Sequence, residues 1–255
     1  MLITKLKFLY IFFIIFSTYS YKISIVNKNK IFNLDKLKPI NVIEPYYKKK
    51  DMYKNISCIL FFSGGSSFIT PQIYNNFFIK LVENNFSVYT PSFKYKNIDK
   101  LIDILDENYK EVIIAGHSSG ASVALNNCNN YKIKKLILLD PVNTRIFNVS
   151  SLFNITNINL LVYFNALKSY KITFNPFGLP FIPFLRIKNN NLNFKNLCNI
   201  SYVNSIDFGH ADILDKPYAD FMHNTRIAVG NKNRSFDSIN NYHKFISNNI
   251  KELLM

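Results

Sequence analysis

The stretch Glu111-Val-Ile-Ile-Ala-Gly116-His117-Ser118-Ser119-Gly120-Ala-Ser-Val-Ala-Leu125 constrains this chain more than any other. An apolar run with β-branched residues, a serine between two glycines and an alanine-containing segment read in order as strand, sharp turn and helix. A serine at the tip of such a turn is held in strained backbone geometry with its Oγ exposed. Gly116 and Gly120 leave room for the strand and the helix to approach closely, and the helix start aims free N–H groups at a developing oxyanion. G-x-S-x-G alone is common in loops. The legible strand before it and helix after it make Ser118 the candidate nucleophile.

Glycine usage points the same way. The chain contains only 7 glycines, and Gly64, Gly65, Gly116, Gly120 and Gly209 fall in three short clusters. Each cluster sits where acyl-transfer chemistry needs backbone without a Cβ.

A serine hydroxyl is a poor nucleophile until a base takes its proton, and that base needs a carboxylate to orient it. Four histidines are available. His117 belongs to the elbow itself and is expected to point away from Oγ. His243, in the middle of the closing helical segment, reads as a solvated surface residue, and His223 lies in a polar segment with no strand before it. His210 follows the last expected strand through Asp207-Phe208-Gly209, where a loop can deliver an imidazole above a sheet edge. It is the expected base, with His223 as its rival. For the acid, Asp140 ends the strand after the elbow helix, and the C-terminal edge of a parallel sheet is where ligands bind. Asp207, Asp212 and Asp215 are rivals that crowd His210 in sequence and read better as residues that cap or fix its loop. The oxyanion donors expected are the N–H groups of Ser119 and Gly65, with Ser66 as the neighbour that could replace Gly65.

The rest of the chain supplies the frame. Strands are expected at Ile40 to Glu44, Ile56 to Phe62, Phe86 to Thr90, Lys135 to Leu139, Leu160 to Phe164 and Ile200 to Asn204, besides the elbow strand. A polar turn is expected through Lys48 to Lys54. A helix near Pro71 carries Tyr74, Phe77, Phe78, Leu81 and Val82 on one face. Ile98 to Leu105 and Phe236 to Leu254 also have helical spacing. Alternating strands and helices indicate an α/β protein, with a mainly parallel central sheet and helices on both faces. Phe174 to Leu185 is a proline- and aromatic-rich segment expected to be a loop. It reads equally as an apolar wall for a substrate, with Phe177 and Phe181 as the contacts, and as core packing in a Phe-rich chain.

At 255 residues one domain is expected, with enough chain for a full core. The net charge of +15 is scattered, Lys48-Lys49-Lys50 being its longest run, so it reads as a basic solvated surface rather than a nucleic-acid interface. Cys58, Cys128 and Cys198 lack the spacing of a disulfide framework or a zinc site, and Cys58 reads as a small buried residue.

Residues 1–20 read as a signal peptide: Lys5 and Lys7 precede the apolar run Phe8 to Phe16, and Thr18 and Ser20 supply small residues near a cleavage point. An uncleaved anchor is the competing reading, although the run is short for a membrane span. Residues 21–38 are basic and acid-poor, a transit segment or a plain linker. The catalytic domain is expected at 39–255. Entry into the secretory pathway follows, then either a plastid with extra bounding membranes or the endoplasmic reticulum lumen and exterior.

Several separated blocks, in order, resemble the chlorophyllase family of α/β-hydrolases. They are Val42-Ile-Glu-Pro45 with Ile59-Leu-Phe-Phe-Ser-Gly64, the elbow Gly116 to Gly120, Leu136 to Val142, and Asp207-Phe-Gly-His210-Ala-Asp212-Ile-Leu-Asp215. The resemblance spans Pro39 to the C-terminus. It implies the α/β-hydrolase fold, a Ser118-Asp140-His210 triad, and cleavage of the phytyl ester of chlorophyll without metal or organic cofactor. The partner this implies is chlorophyll; the partner expected overall is a small apolar ester, chlorophyll or a lipid ester, with peripheral association at a membrane surface, and the scattered charge points to no nucleic acid. The chain departs from the family in having Ser63-Gly64 where a His-Gly pair is usual, and Ser119 where a basic residue is usual. Two other readings stand beside it. One is a secreted carboxylesterase or lipase related to platelet-activating-factor acetylhydrolases, which also place the acid shortly after the elbow. The other is an inactive scaffold that binds a tetrapyrrole or lipid.

Overall fold

The computed structural model describes residues 40–43, 50–65, 70–91, 97–144, 152–166, 184–205, 207–224, 231 and 234–254. The readings of residues 1–20 and 21–38 lie outside these residues, as do Ser66, Phe177 and Phe181.

Apolar runs become the strands of the main sheet: β1 (Ile40–Ile43), β2 (Ser57–Phe62), β3 (Phe86–Pro91), β4 (Glu111–His117) and β5 (Lys135–Leu139). β2 to β5 are too apolar to leave a face in water, and both of their faces are covered. In β2, Cys58, Leu60 and Phe62 pack on one face while Ile59 and Phe61 pack on the other. Beyond β5 follow β6 (Val142–Thr144), β7 (Phe153–Ile155), β8 (Leu160–Ala166), β9 (Phe184–Arg186), β10 (Leu192–Phe194) and β11 (Asn199–Ser205). Seven of these form one sheet in the order β1-β3-β2-β4-β5-β8-β11. Every neighbouring pair is parallel except β1 with β3. β6 pairs with β9 and β7 with β10 in two small separate sheets.

Among the described residues five helices cover the faces: α1 (Asn75–Glu83), α2 (Ile98–Asn108), α3 (Gly120–Asn127), α4 (Lys216–Asn224) and α5 (Phe236–Leu254). Leu101, Ile102 and Leu105 of α2 and Ala121, Ala124 and Leu125 of α3 join one core layer. Phe77, Phe78 and Leu81 of α1, Ala219 of α4 and Ile239, Ile246 and Ile250 of α5 join the other. This strand order, with an antiparallel strand at the edge and a serine turn after the central β4, is the α/β-hydrolase fold.

Several expectations are refined. The Pro71 segment enters its helix through a 3-10 turn, Pro71–Tyr74, and the turn expected at Lys48 to Lys54 overlaps a 3-10 helix, Lys50–Asn55, that ends one residue later. Phe184 and Leu185, expected in a loop, begin β9 because β6 offers them an antiparallel partner. The polar segment holding His223 is α4. His243 is not a surface residue: it is fully buried, edge-on to Phe77, because the closing helix lies in the groove of the second core layer with that side inward. Cys58 is buried as expected, and all three cysteines are free thiols. Among the described residues no helix is long and apolar enough to cross a membrane.

Candidate active site

The geometry begins with two adjacent strand ends. β4 and β5 pair in register up to His117 opposite Leu139, so Ser118 and Asp140 leave the sheet side by side. Both then turn with positive φ, 55° at Ser118 and 39° at Asp140. Non-glycine residues adopt such angles rarely and at a cost, and the surroundings here hold them in place. The Ser118 N–H donates to the Leu139 carbonyl, its own carbonyl accepts from Val142 and Ala121, and the Asp140 N–H donates to Phe164.

The turn is tight enough to exclude side chains. A Cβ on Gly120 would lie 2.3 Å from the carbonyl oxygens of both Phe62 and Ser63, and one on Gly116 would lie 2.5 Å from the Gly120 oxygen. β2, the elbow and the start of α3 therefore meet backbone to backbone.

His210 reaches the strand ends from the loop after β11. Its Nδ1 lies 2.6 Å from Asp140 Oδ2 and its Nε2 lies 2.9 Å from Ser118 Oγ. A carboxylate only accepts, so Nδ1 carries the proton and Nε2 is bare and accepts from the Ser118 hydroxyl. The second Asp140 oxygen accepts from the Ala166 N–H at 3.3 Å. His210 and Asp140 are both buried, and Leu139, Phe164, Ile213, Tyr242 and Ile246 share the cavity beside them. In apolar surroundings this hydrogen bond to the carboxylate is screened little.

The loop itself is anchored at several points. Asp212 Oδ2 accepts from the N–H groups of Gly209, at 2.7 Å, and Asn231, at 2.6 Å. Burial nevertheless raises the Asp212 carboxyl above its usual range. Asp215 Oδ1 accepts from the Asn76 N–H at the start of α1. Ser205 Oγ donates to the carbonyls of Asn165 and Phe208, and the Phe208 ring stacks on Tyr242 at 4.2 Å. Asp212 and Asp215 thus fix the loop, while Asp207 is exposed. His223 is half-buried in the last turn of α4.

The loop after β2 lies against Ser118: a Cβ on Gly64 would be 3.4 Å from Ser118 Cβ. Gly65 follows with φ 60°, the left-handed region that favours glycine. Ser119, directly after Ser118, is the N-cap of α3. Ser118, Asp140 and His210 are thus brought together, and the stretch carrying Gly65 is brought to them. No group of three or more metal-ligating side chains able to hold an ion occurs among the described residues.

Sequence reasoning missed Tyr74. It read as one apolar residue of a helix face, but its hydroxyl is buried, accepts from the Gly64 N–H at 3.0 Å and lies 2.8 Å from His117 Nδ1. A single tyrosine beside Phe77 and Phe78 was the available signal, since a buried phenol needs polar partners that phenylalanine does not. His117 is turned to Tyr74 and to the His210 backbone, where its Nε2 lies 3.1 Å from the His210 carbonyl.

No family model and no curated protein matches the chain. Among solved structures it is similar to the esterase domain of a Rhodothermus marinus protein, with 9% identity, 84% of this chain and 92% of that one covered, and a TM-score of 0.46. It is also similar to Est1E from Butyrivibrio proteoclasticus, with 10% identity, coverages of 82% and 93% and a TM-score of 0.43. An alpha-beta serine hydrolase homologue from Coxiella burnetii gives 11% identity, coverages of 81% and 90% and a TM-score of 0.41. The fold assignment rests on the strand order and directions described above.

Proposed function

We propose that the protein is a serine hydrolase of carboxylic esters, working through Ser118, His210 and Asp140. The observation that carries this reading is the unbroken contact from Ser118 Oγ through the His210 ring to Asp140, with the serine raised on a positive-φ turn. His210 Nε2 takes the Ser118 proton as Oγ bonds to the ester carbonyl carbon, while Asp140 stabilises the imidazolium. The N–H groups of Ser119 and Gly65 hold the oxyanion. As the tetrahedral intermediate collapses, the bond to the alkoxy oxygen breaks and His210 returns its proton to the leaving alcohol. Water, deprotonated by the same nitrogen, then cleaves the acyl-enzyme and releases the acid. Every step is a proton or acyl transfer that these side chains can carry.

The finer proposal is a chlorophyllase-type substrate, the phytyl ester of chlorophyll, giving chlorophyllide and phytol. It is supported by the sequence blocks around Ser118, Asp140 and His210. In that reading the protein meets its apolar substrate at a membrane surface, in a plastid reached through the secretory pathway.

The test is incubation with chlorophyll a in detergent and, separately, with a short p-nitrophenyl ester, with Ser118→Ala as control. Serine-dependent release of chlorophyllide and phytol supports the finer proposal. Serine-dependent cleavage of the short ester alone keeps the hydrolase and discards chlorophyll. A folded protein inactive on both overturns the hydrolase reading.

A further inference from the structure

His117 and Tyr74 form a chain with only one consistent direction. The His210 carbonyl can only accept, so the His117 nitrogen facing it, Nε2, carries the proton. A neutral imidazole then leaves Nδ1 bare, so Nδ1 accepts and the Tyr74 O–H donates to it. The Tyr74 oxygen, having spent its hydrogen, accepts from the Gly64 N–H. Each donor and acceptor role follows from the carbonyl at the end, with every group satisfied.

The chain joins three pieces of backbone that come from distant parts of the sequence. Gly64 belongs to the loop after β2, His117 is the residue before the nucleophile, and His210 is the base. Tyr74 and His117 are both buried, with their rings edge-on at 5.6 Å. The His117 ring also lies over that of His210, at 4.8 Å between centroids and tilted by 33°. Burial, with the nearby His210 second, pushes His117 down to about 3, so it stays neutral near pH 7. A charged ring at that distance would disfavour the imidazolium that His210 must become; a neutral one does not.

We infer that Tyr74 and neutral His117 are positioning residues that lock the backbone of the base His210 to the oxyanion loop at Gly64. This rests on the hydrolase reading. The lock fixes two things that must be right together: where the proton-accepting nitrogen stands and where the oxyanion donors stand. An ångström-scale error in either costs orders of magnitude in rate. Both residues act through the backbone groups they hold, the Gly64 N–H and the His210 carbonyl.

The experiment compares wild type with Tyr74→Phe, His117→Leu and His117→Gln in the full chain on a p-nitrophenyl ester, with thermal melting of each. Tyr74→Phe keeps the ring and removes only the hydroxyl. The expected result is a fall in kcat of about 10- to 100-fold for Tyr74→Phe and His117→Leu, with KM within about twofold of wild type. His117→Gln, whose amide N–H can stand where Nε2–H does, should recover most of the loss. A folded Tyr74→Phe with wild-type kcat overturns the inference, as does a His117→Gln no better than a folded His117→Leu. If His117→Leu does not fold, Tyr74→Phe decides alone. The two failures are distinguishable: a wild type with no Ser118-dependent turnover ends the hydrolase reading itself, whereas active wild type with indifferent variants ends only the lock.

Discussion

Ser118 and Asp140 stand side by side, one residue beyond the paired His117 and Leu139, each at positive φ. The proposed nucleophile and acid are thus placed by two neighbouring strand ends, and only His210 has to be delivered. Asp140 Oδ2 is the atom that fixes the His210 tautomer.

Asp140→Asn should therefore act on rate and not on architecture. An amide can donate to Nδ1, which leaves Nε2 protonated and unable to take the serine proton. The expected loss in kcat on a p-nitrophenyl ester is about a thousand- to ten-thousand-fold, with circular dichroism and melting near wild type. Retention of more than a tenth of the activity would mean that another carboxylate orients His210.

The glycines of the elbow make a separate prediction about stability. Gly120→Ala puts a methyl 2.3 Å from two backbone oxygens that no rotamer change can move. Denaturant unfolding should show a loss of about 3 kcal/mol, or the variant should fail to fold. Gly116→Ala should behave alike, because its nearest atoms, in Gly120 and Ala121, are also backbone. An unchanged urea midpoint for either would contradict the close approach of β2, the elbow and α3.

The main sheet was legible because its strands are local apolar runs separated by turn residues, and periodicity reports such runs directly. The meeting of the three candidate side chains was legible for the same reason: Ser118 and Asp140 sit at strand ends, and His210 follows the last strand. The short strands β6, β7, β9 and β10 were not, since three residues carry no periodicity and exist only because a distant partner offers hydrogen bonds. His243 was misread for a related reason. Helical spacing says which residues share a face but not how wide the buried face will be, and α5 packs deep enough against α1 to bury a polar ring. The Tyr74 to His117 contact depends on three segments meeting, which no local pattern encodes.

His243 gives the first pH prediction. Burial is the main cause that pushes it down to about 4, with the charge of Lys80 acting the same way, against an ordinary value near 6.5. The unfolded chain binds a proton here that the native state refuses, so stability is lost as pH falls from about 6.5 toward 4. The measurement is the difference in unfolding free energy between wild type and His243→Leu. Wild type should lose up to about 1.4 kcal/mol relative to the variant for each pH unit below 6.5. A difference that does not change between pH 7 and pH 5 would place His243 in contact with water.

Asp215 should respond in the opposite sense. Its Oδ1 accepts from the Asn76 N–H, as a cap at the start of α1. The helix end favours the charged form, but burial outweighs it and raises the carboxyl to about 7 from an ordinary 3.8. Between those values the native state holds a proton that the unfolded chain releases. The resulting stability is present below about 3.8 and is lost as pH rises through about 7. Asp215→Asn keeps an oxygen for the Asn76 N–H and carries no titration, so wild type should decline relative to it from pH 4 to pH 7. Asp215→Ala removes the cap at every pH and should cost about 1 kcal/mol more than Asp215→Asn. Urea unfolding at pH 4.5 and pH 7.5 separates the two effects. A wild type that gains on Asp215→Asn as pH rises would show that the charged carboxylate, held by the helix end, is the native form.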